Sequence, residues 1–312
     1  MAILICLEGV RLWKMTHGGI SVNHGILSSY DYTVYLDHVV LGKYYGSEAE
    51  VKIPRTYPFK PVTEIGYHCF YQNKELRCVY LNDKVETIGP YAFGLCTNLE
   101  KVLDGTNVKW IKIAAFESAN HLAQIEVGNK IEVIDWEAFA GCYELKEFPE
   151  QPNLQLIEYA AFYQSGLEKF VFPENTDVER CALMDTPWLL NRKEDFVIFG
   201  DGKLQQYKGA DQYVKVPEGV KVIQYSAFFY SDASEIYIPR STEKIEQGAF
   251  WSIDNSLKVY IPDSVVNMGY EDEDNLKFIG PEYYIIVTVE GSYAQQFAEK
   301  YGFKYKIVDP WW

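Results

Sequence analysis

Five isoleucines stand 23 residues apart, at Ile65, Ile88, Ile111, Ile134 and Ile157. Each is followed five positions later by a phenylalanine: Phe70, Phe93, Phe116, Phe139 and Phe162. A unit of this length cannot enclose a core of its own, so each must bury its apolar edge against its neighbours. A fixed period in this range therefore predicts a solenoid and leaves little room for a compact globule.

Within each unit the pattern changes period. Counted from the motif Phe, apolar residues recur at +6, +9 and usually +11: Leu76, Val79 and Leu81 in the first unit, Leu122, Ile125 and Val127 in the third. The alternation of the last two predicts a strand with one buried face. A turn follows, then a further apolar residue (Val85, Val108, Ile131, Leu154) and the next Ile. The Ile-x-x-x-Ala-Phe stretch is expected to form one short helical turn, since residues four or five apart can share a buried face.

Two departures from the period organise the rest. After Phe162 the register shifts, and Val178 and Leu183 stand where Ile and Phe should. Gly200-Asp-Gly202 then lies between apolar runs, a hairpin signal. The segment Val197–Pro217 aligns without gaps to Val34–Pro54, sharing Val, Leu, Tyr, Gly, Val, Lys and Pro. Each segment predicts a hairpin, a Tyr and a Gly, then a short strand leading into a repeat. A solenoid needs its first edge covered, so the twin segments are expected to open two arrays. The second array is short, with Ile223…Phe228 and Ile245…Phe250, and ends at Met268-Gly-Tyr and the acidic run Glu271–Asp274. Ser292-Tyr-Ala-Gln295 is a capping box opening a helix that Gly302 stops, and strands are expected on both sides of it. The expected division is 1–64 N-terminal segment and hairpin cap, 65–183 first array, 184–217 hairpin insertion, 218–280 second array and 281–312 C-terminal cap. Ile3–Leu7 is expected as a strand, with turns at His17-Gly-Gly and His24-Gly.

The residues Leu99-x-x-Val102, Ile88-Gly-x-x-Ala-Phe-x-x-Cys96, Ile238-Pro239 and Ile261-Pro262-Asp-Ser-Val resemble the BspA-like branch of the leucine-rich-repeat family, across about residues 32–308. The resemblance implies a strand-rich α/β solenoid: a right-handed superhelix with a parallel sheet along its concave side. It also implies an interaction or adhesion protein, often bacterial and often secreted. No secretory signal layout or wall-anchoring tail is visible, so the chain as written is expected to be cytoplasmic, or secreted if an export segment precedes it.

Charge and motifs narrow the function. The formal net charge of −15 supplies no basic footprint for nucleic acid and argues against anionic membranes. A protein partner with a basic surface is expected, with a glycan as the alternative, and no membrane insertion. There is no P-loop, no HExxH and no Gly-x-Ser-x-Gly elbow, and Gln205 stands where a dinucleotide fingerprint needs its third Gly. No catalytic residue, cofactor or metal ligand is assigned; His17 and His24 are the remaining candidates for a metal. Cys96 and Cys142 occupy one repeat position and are expected to fill a tight inner corner, and no CxxC pair occurs. The residue between the +9 and +11 anchors should face outward on the concave side. That column holds Tyr80, Leu103, Glu126, Val171, Tyr237 and Tyr260, and these six are the expected partner-binding residues. A second column, two residues after each motif Ile, holds Tyr67, Trp136, Tyr159, Tyr225 and Tyr270, interrupted by Pro90, Ile113 and Gln247, and is expected to stack between coils.

Overall fold

The computed structural model describes residues 12–14, 20–22, 29–57, 59–229, 231–251, 256–269 and 284–310. The expected strand at Ile3–Leu7, the turns at His17 and His24, Tyr270 and the run Glu271–Asp274 lie outside them. The chain divides into two units, Met1–Asn191 and Arg192–Trp312.

The first unit is a solenoid of coils that pair in parallel on two sides. On one side, short strands ending at the motif Ile pair in succession: Ile65 with Ile88, Ile88 with Ile111, Ile111 with Ile134, Ile134 with Ile157, and Ile157 with Val178. On the other side, the longer strands Glu50–Lys52, Cys78–Tyr80, Lys101–Gly105 and Gln124–Val127 form a second parallel sheet. Val79, Val102 and Ile125 point inward from it and are buried. The second unit repeats the plan, with Ile223 and Ile245 on one side and Tyr213–Lys215, Glu235–Tyr237, Leu257–Tyr260, Tyr284–Thr288 and Tyr305–Ile307 on the other.

The stretch from the motif Ile to the Phe is not helical. It is a run of overlapping β-turns: Ala92 donates to Gly89 O, Gly94 to Tyr91 O and Cys96 to Phe93 O, at 3.1 Å each. The alternate N–H groups leave the coil. Those of Tyr91, Phe93 and Leu95 donate to the carbonyls of Ile113, Ala115 and Glu117 one coil on, at 2.7–2.9 Å. The carbonyls of Pro90, Ala92 and Gly94 accept in the same way from His68, Phe70 and Gln72 of the coil before. A helix would direct all of these groups back into its own chain, whereas the tandem turns spend half of them on neighbours. The geometry requires a left-handed residue three positions after each motif Ile. His68, Tyr91, Ala114, Glu137, Ala160, Cys181 and Ser226 all have φ between 50° and 59°, although none is glycine. Such a conformation costs roughly 1–2 kcal/mol per residue. It is held because the N–H groups of His68, Tyr91, Ala114, Glu137, Ala160 and Ser226 also bond to a neighbouring coil.

The motif phenylalanines stack along the core. Phe70, Phe93, Phe116, Phe139 and Phe162 lie 5.1 Å apart in succession, with planes within 9° of parallel. The twin hairpins begin the two stacks. Val39–Tyr44 pairs in parallel with Val62–Ile65, and Lys203–Tyr207 with Val222–Ile223. Tyr44 N donates to Cys69 O and Tyr207 N to Ala227 O, each at 2.7 Å, the bond that a motif Phe makes in later coils. Their rings sit 5.0 Å from Phe70 and 5.5 Å from Phe228. Gly46 and Gly209 are needed beneath these rings, because a Cβ there would lie 2.1 Å and 2.4 Å from the respective tyrosine oxygens. At the far end of the second unit the stack runs from Phe250 to Tyr284, Phe303 and Phe297, the last on the helix Tyr293–Tyr301. Ser292 caps that helix by accepting from Gln295 N, and Gly302 ends it at φ 75°. The return bond of the expected capping box is displaced by one residue, since Gln295 Oε1 accepts from Gly291 N.

Phe116→Ala should therefore cost about 3–5 kcal/mol in chemical denaturation, whereas Trp136→Ala, at a side chain 52% exposed, should cost under about 1 kcal/mol. A second left-handed position recurs seven residues after the motif Ile, where Ser118 has φ 55° and its equivalent one coil on is Gly141 at φ 71°. Ser118→Gly should raise stability by about 0.5–1 kcal/mol, since it releases backbone strain at a half-buried site.

Candidate recognition surface

Strand alternation decides which side chains leave the longer-strand sheets. In the first unit the outward rows are Glu50, Cys78, Lys101 and Gln124, then Lys52, Tyr80 and Leu103. Tyr80 and Leu103 are half-buried in register, and the Lys52 ammonium lies 5.4 Å from the Tyr80 ring centre. The register slips between Ile125 and Val127, so Glu126 sits at the irregularity itself; its carboxylate accepts from Gln124 Nε2 at 2.8 Å. Val171 is 61% exposed. Arg77 pairs with Glu100 at 2.6 Å, and Lys169 with Glu147.

Tyr237 and Tyr260 belong to the second unit. They are cross-strand partners with ring centres 4.2 Å apart and planes 12° from parallel. The Tyr237 hydroxyl donates to Glu235 at 2.7 Å, and Lys258 Nζ reaches the same carboxylate at 2.9 Å. The Lys258 and Tyr237 bonds hold the Glu235 carboxyl below its ordinary range. Of the six expected residues, the structure thus places Tyr80, Leu103, Glu126 and Val171 on one unit and Tyr237 and Tyr260 on the other.

The second column behaves less uniformly than expected. Trp136 meets Tyr159 edge-on at 5.8 Å, and the Arg180 guanidinium lies 5.3 Å from the Tyr159 ring centre. Tyr67 instead stacks on His68 at 3.8 Å, and His68 on Tyr71 at 4.3 Å, with Tyr91 edge-on to all three. Repeat position alone does not disclose this cluster, because Tyr67, Tyr71 and the equivalent His68 and Tyr91 of successive coils meet only after the turns fold. Burial lowers the His68 pKa.

Carboxylates beside the motif Ile have a structural task. Glu158 accepts from Trp136 N at 3.1 Å, Glu179 from Tyr159 N at 3.0 Å and Glu246 from Tyr225 N at 3.1 Å. Asp135 lies 3.5 Å from Lys112. Burial nevertheless raises the pKa of Asp135, Glu158 and Glu64, most simply at Glu64, where desolvation outweighs His38 and Lys112. Cys96 and Cys142 donate to Phe70 O and Phe116 O at 2.9 and 3.2 Å, and burial pushes the Cys96 thiol up to about 12. Cys69, Cys78, Cys96, Cys142 and Cys181 are buried free thiols. Among the described residues no group of three or more His, Cys, Asp or Glu is placed to hold a metal, and no helix is long and apolar enough to cross a membrane.

Repeats of this length, paired on two sides and joined by a stacked Phe, are matched by the BspA type leucine rich repeat region, in six copies over residues 63–187 and 207–272. The chain belongs to this family. Its fold is shared with a leucine rich cell surface protein from Faecalibacterium prausnitzii, at 21% identity and TM-score 0.54, over 80% of this chain and 95% of that one. A leucine-rich repeat protein from Bacteroides ovatus matches at 18% identity and TM-score 0.50, over 91% of this chain and 70% of that one. No curated protein matches the chain in sequence. Membership of a repeat family accords with a role in protein interaction or surface binding.

Glu64 supplies a test of how these coils carry charge. Its folded pKa lies above the unfolded value, so the charged form weakens the fold, and stability is recovered as pH falls through the folded pKa. Glu64→Gln should raise the melting temperature at pH 7 and lose that advantage near pH 4, as read from paired thermal melts.

Proposed function

We propose that this chain is a non-catalytic protein-interaction module whose contact surfaces are the outward faces of the two longer-strand sheets. One observation carries the reading: apolar and aromatic side chains stand there in register, Tyr80 beside Leu103 and Tyr237 beside Tyr260, without covering the core. Such rows give up little hydration when a partner lands, because the Tyr237 hydroxyl is already bonded within the sheet. Stacking across strands also stabilises the sheet by roughly 0.2–1 kcal/mol per pair. The two roles are compatible, since a pair held rigid loses less entropy on binding. The cell-surface description of the Faecalibacterium prausnitzii protein supports a surface-binding role.

A second reading, carbohydrate or adhesin-like binding, is favoured by Trp136 and Tyr67, which are 52% and 62% exposed on the turn side of the first unit. Broad aromatic faces of this kind suit sugar rings.

Selection of a displayed library of folded protein fragments against the full chain, run beside a glycan array, separates the two. The protein reading expects selected fragments whose binding falls at least tenfold in Tyr80→Ala/Leu103→Ala or in Tyr237→Ala/Tyr260→Ala, with melting temperature within a few degrees of the parent. Loss of stability with unchanged binding, or glycan signals alone, would overturn it.

A further inference from the structure

The outward face of the second unit's longer-strand sheet differs in sign from the chain that carries it. One row reads Tyr213, Glu235, Lys258 and Ile285; the next reads Lys215, Tyr237, Tyr260, the buried Val287 and Lys306. Lys304 lies two residues before Lys306 in the last strand's register and shares its side. Among the described residues four lysines therefore face one carboxylate, and that carboxylate is held by Lys258 and the Tyr237 hydroxyl. Lys215, Lys304 and Lys306 are exposed. Among the described residues, Asp211, Asp263, Glu290 and Asp309 lie in loops beyond the strand ends, and Asp263 is paired with Arg240 at 3.5 Å. A locally positive face on a chain of net charge −15 is not a solubility device, because the net charge already provides that. The corresponding rows of the first unit are balanced, with Lys52 and Lys101 against Glu50 and Glu126.

We propose that this face binds an acidic peptide segment of a partner protein, lying across the strands with its carboxylates on Lys215 and Lys306 and its apolar side chains over the tyrosine pair and Ile285. The inference rests on the reading of the sheet faces as contact surfaces, and it reverses for this face the basic partner expected from net charge. Its extent follows from the sheet. Lys215 and Lys306 are separated by four strand spacings, about 19 Å at about 4.8 Å each, which about six extended residues span. Ring geometry selects a peptide over an acidic glycan. Tyr237 and Tyr260 lie face to face at 4.2 Å, so their broad faces are turned on each other and their edges are left to a ligand. A sugar ring needs a broad aromatic face to lie on. Ring edges are the electropositive part of the π system, and they suit carboxylates and aliphatic side chains.

The test uses the full chain and a fluorescein-labelled peptide of about twelve residues with acidic runs flanking a central Phe-Leu, read by anisotropy at low and high salt. Binding that weakens as salt rises is expected. Lys215→Glu/Lys306→Glu should reduce affinity at least tenfold, while Lys74→Glu/Lys130→Glu, the same charge change on the first unit, should leave it within twofold. A Lys215→Gln/Lys306→Gln pair, with a melting temperature matching the parent, guards against an effect of misfolding. Equal loss in both charge-reversal pairs would mean attraction by overall charge and would overturn the proposal. So would an absence of peptide binding, or binding of a hyaluronan oligosaccharide in place of the peptide. If displayed fragments still bind through Tyr80 and Leu103 in that case, the interaction reading survives and only the acidic-ligand assignment fails; if nothing binds either face, both fail.

Discussion

The rest of this structure depends on peptide groups that bond along the stack and not within their own coil. In each tandem-turn segment every second N–H, as at Tyr91, Phe93 and Leu95, reaches a carbonyl of the following coil, and every second carbonyl accepts from the coil before. A single coil would leave these groups unpaired, at the cost that accompanies any buried polar group without a partner. The same ladder sets the spacing at which the phenylalanines stack and holds residues such as Glu137 and Ala160 in a left-handed conformation. Backbone strain, aromatic packing and hydrogen bonding are thus maintained by one interaction, the contact of a coil with its neighbour.

An array built this way has a problem at its ends, and both units meet it with aromatic caps. Tyr44 and Tyr207 take the bonding place of a motif Phe in a coil that is really the second strand of a hairpin. Gly46 and Gly209 make room for the two hydroxyl ends. Ser165 and Thr186 stand where Cys96 and Cys142 do in other coils, and Thr186 has become the cap of the short helix Pro187–Leu190 near the end of the first unit. The Trp188 indole N–H closes on Phe170 O at 3.1 Å.

Because the ladder constrains only inward positions, outward rows are free to vary in chemistry while staying in register. This is how a strongly acidic chain can present a lysine-rich face on one sheet and a balanced one on another. Net charge averages over all surfaces, whereas a partner meets one. The expectation of a basic partner came from the average, whereas the rows Tyr213–Ile285 and Lys215–Lys306 carry the charge of one face only.

The 23-residue recurrence of Ile and Phe was enough to establish a solenoid, because no other arrangement buries so short a unit. The kinship of Val34–Pro54 and Val197–Pro217 was likewise legible, since both segments keep the Tyr and Gly that the cap geometry demands. The outward direction of Tyr80 and Tyr237 followed from strand alternation alone. Tandem turns were not legible as such. Ile-x-x-x-Ala-Phe satisfies helical spacing equally well, and in the first unit His, Tyr, Ala, Glu and Cys at the left-handed position give no glycine to betray it; Gly248 holds that position in one coil of the second unit. Only the neighbouring coil, which accepts the alternate N–H groups, makes the turns preferable to a helix. For the same reason the Tyr67–His68–Tyr71–Tyr91 cluster and the closing of Glu235 by Lys258 and Tyr237 were decided by tertiary structure. Local sequence determines what a coil can bury, and the contacts between coils determine which of its remaining groups meet.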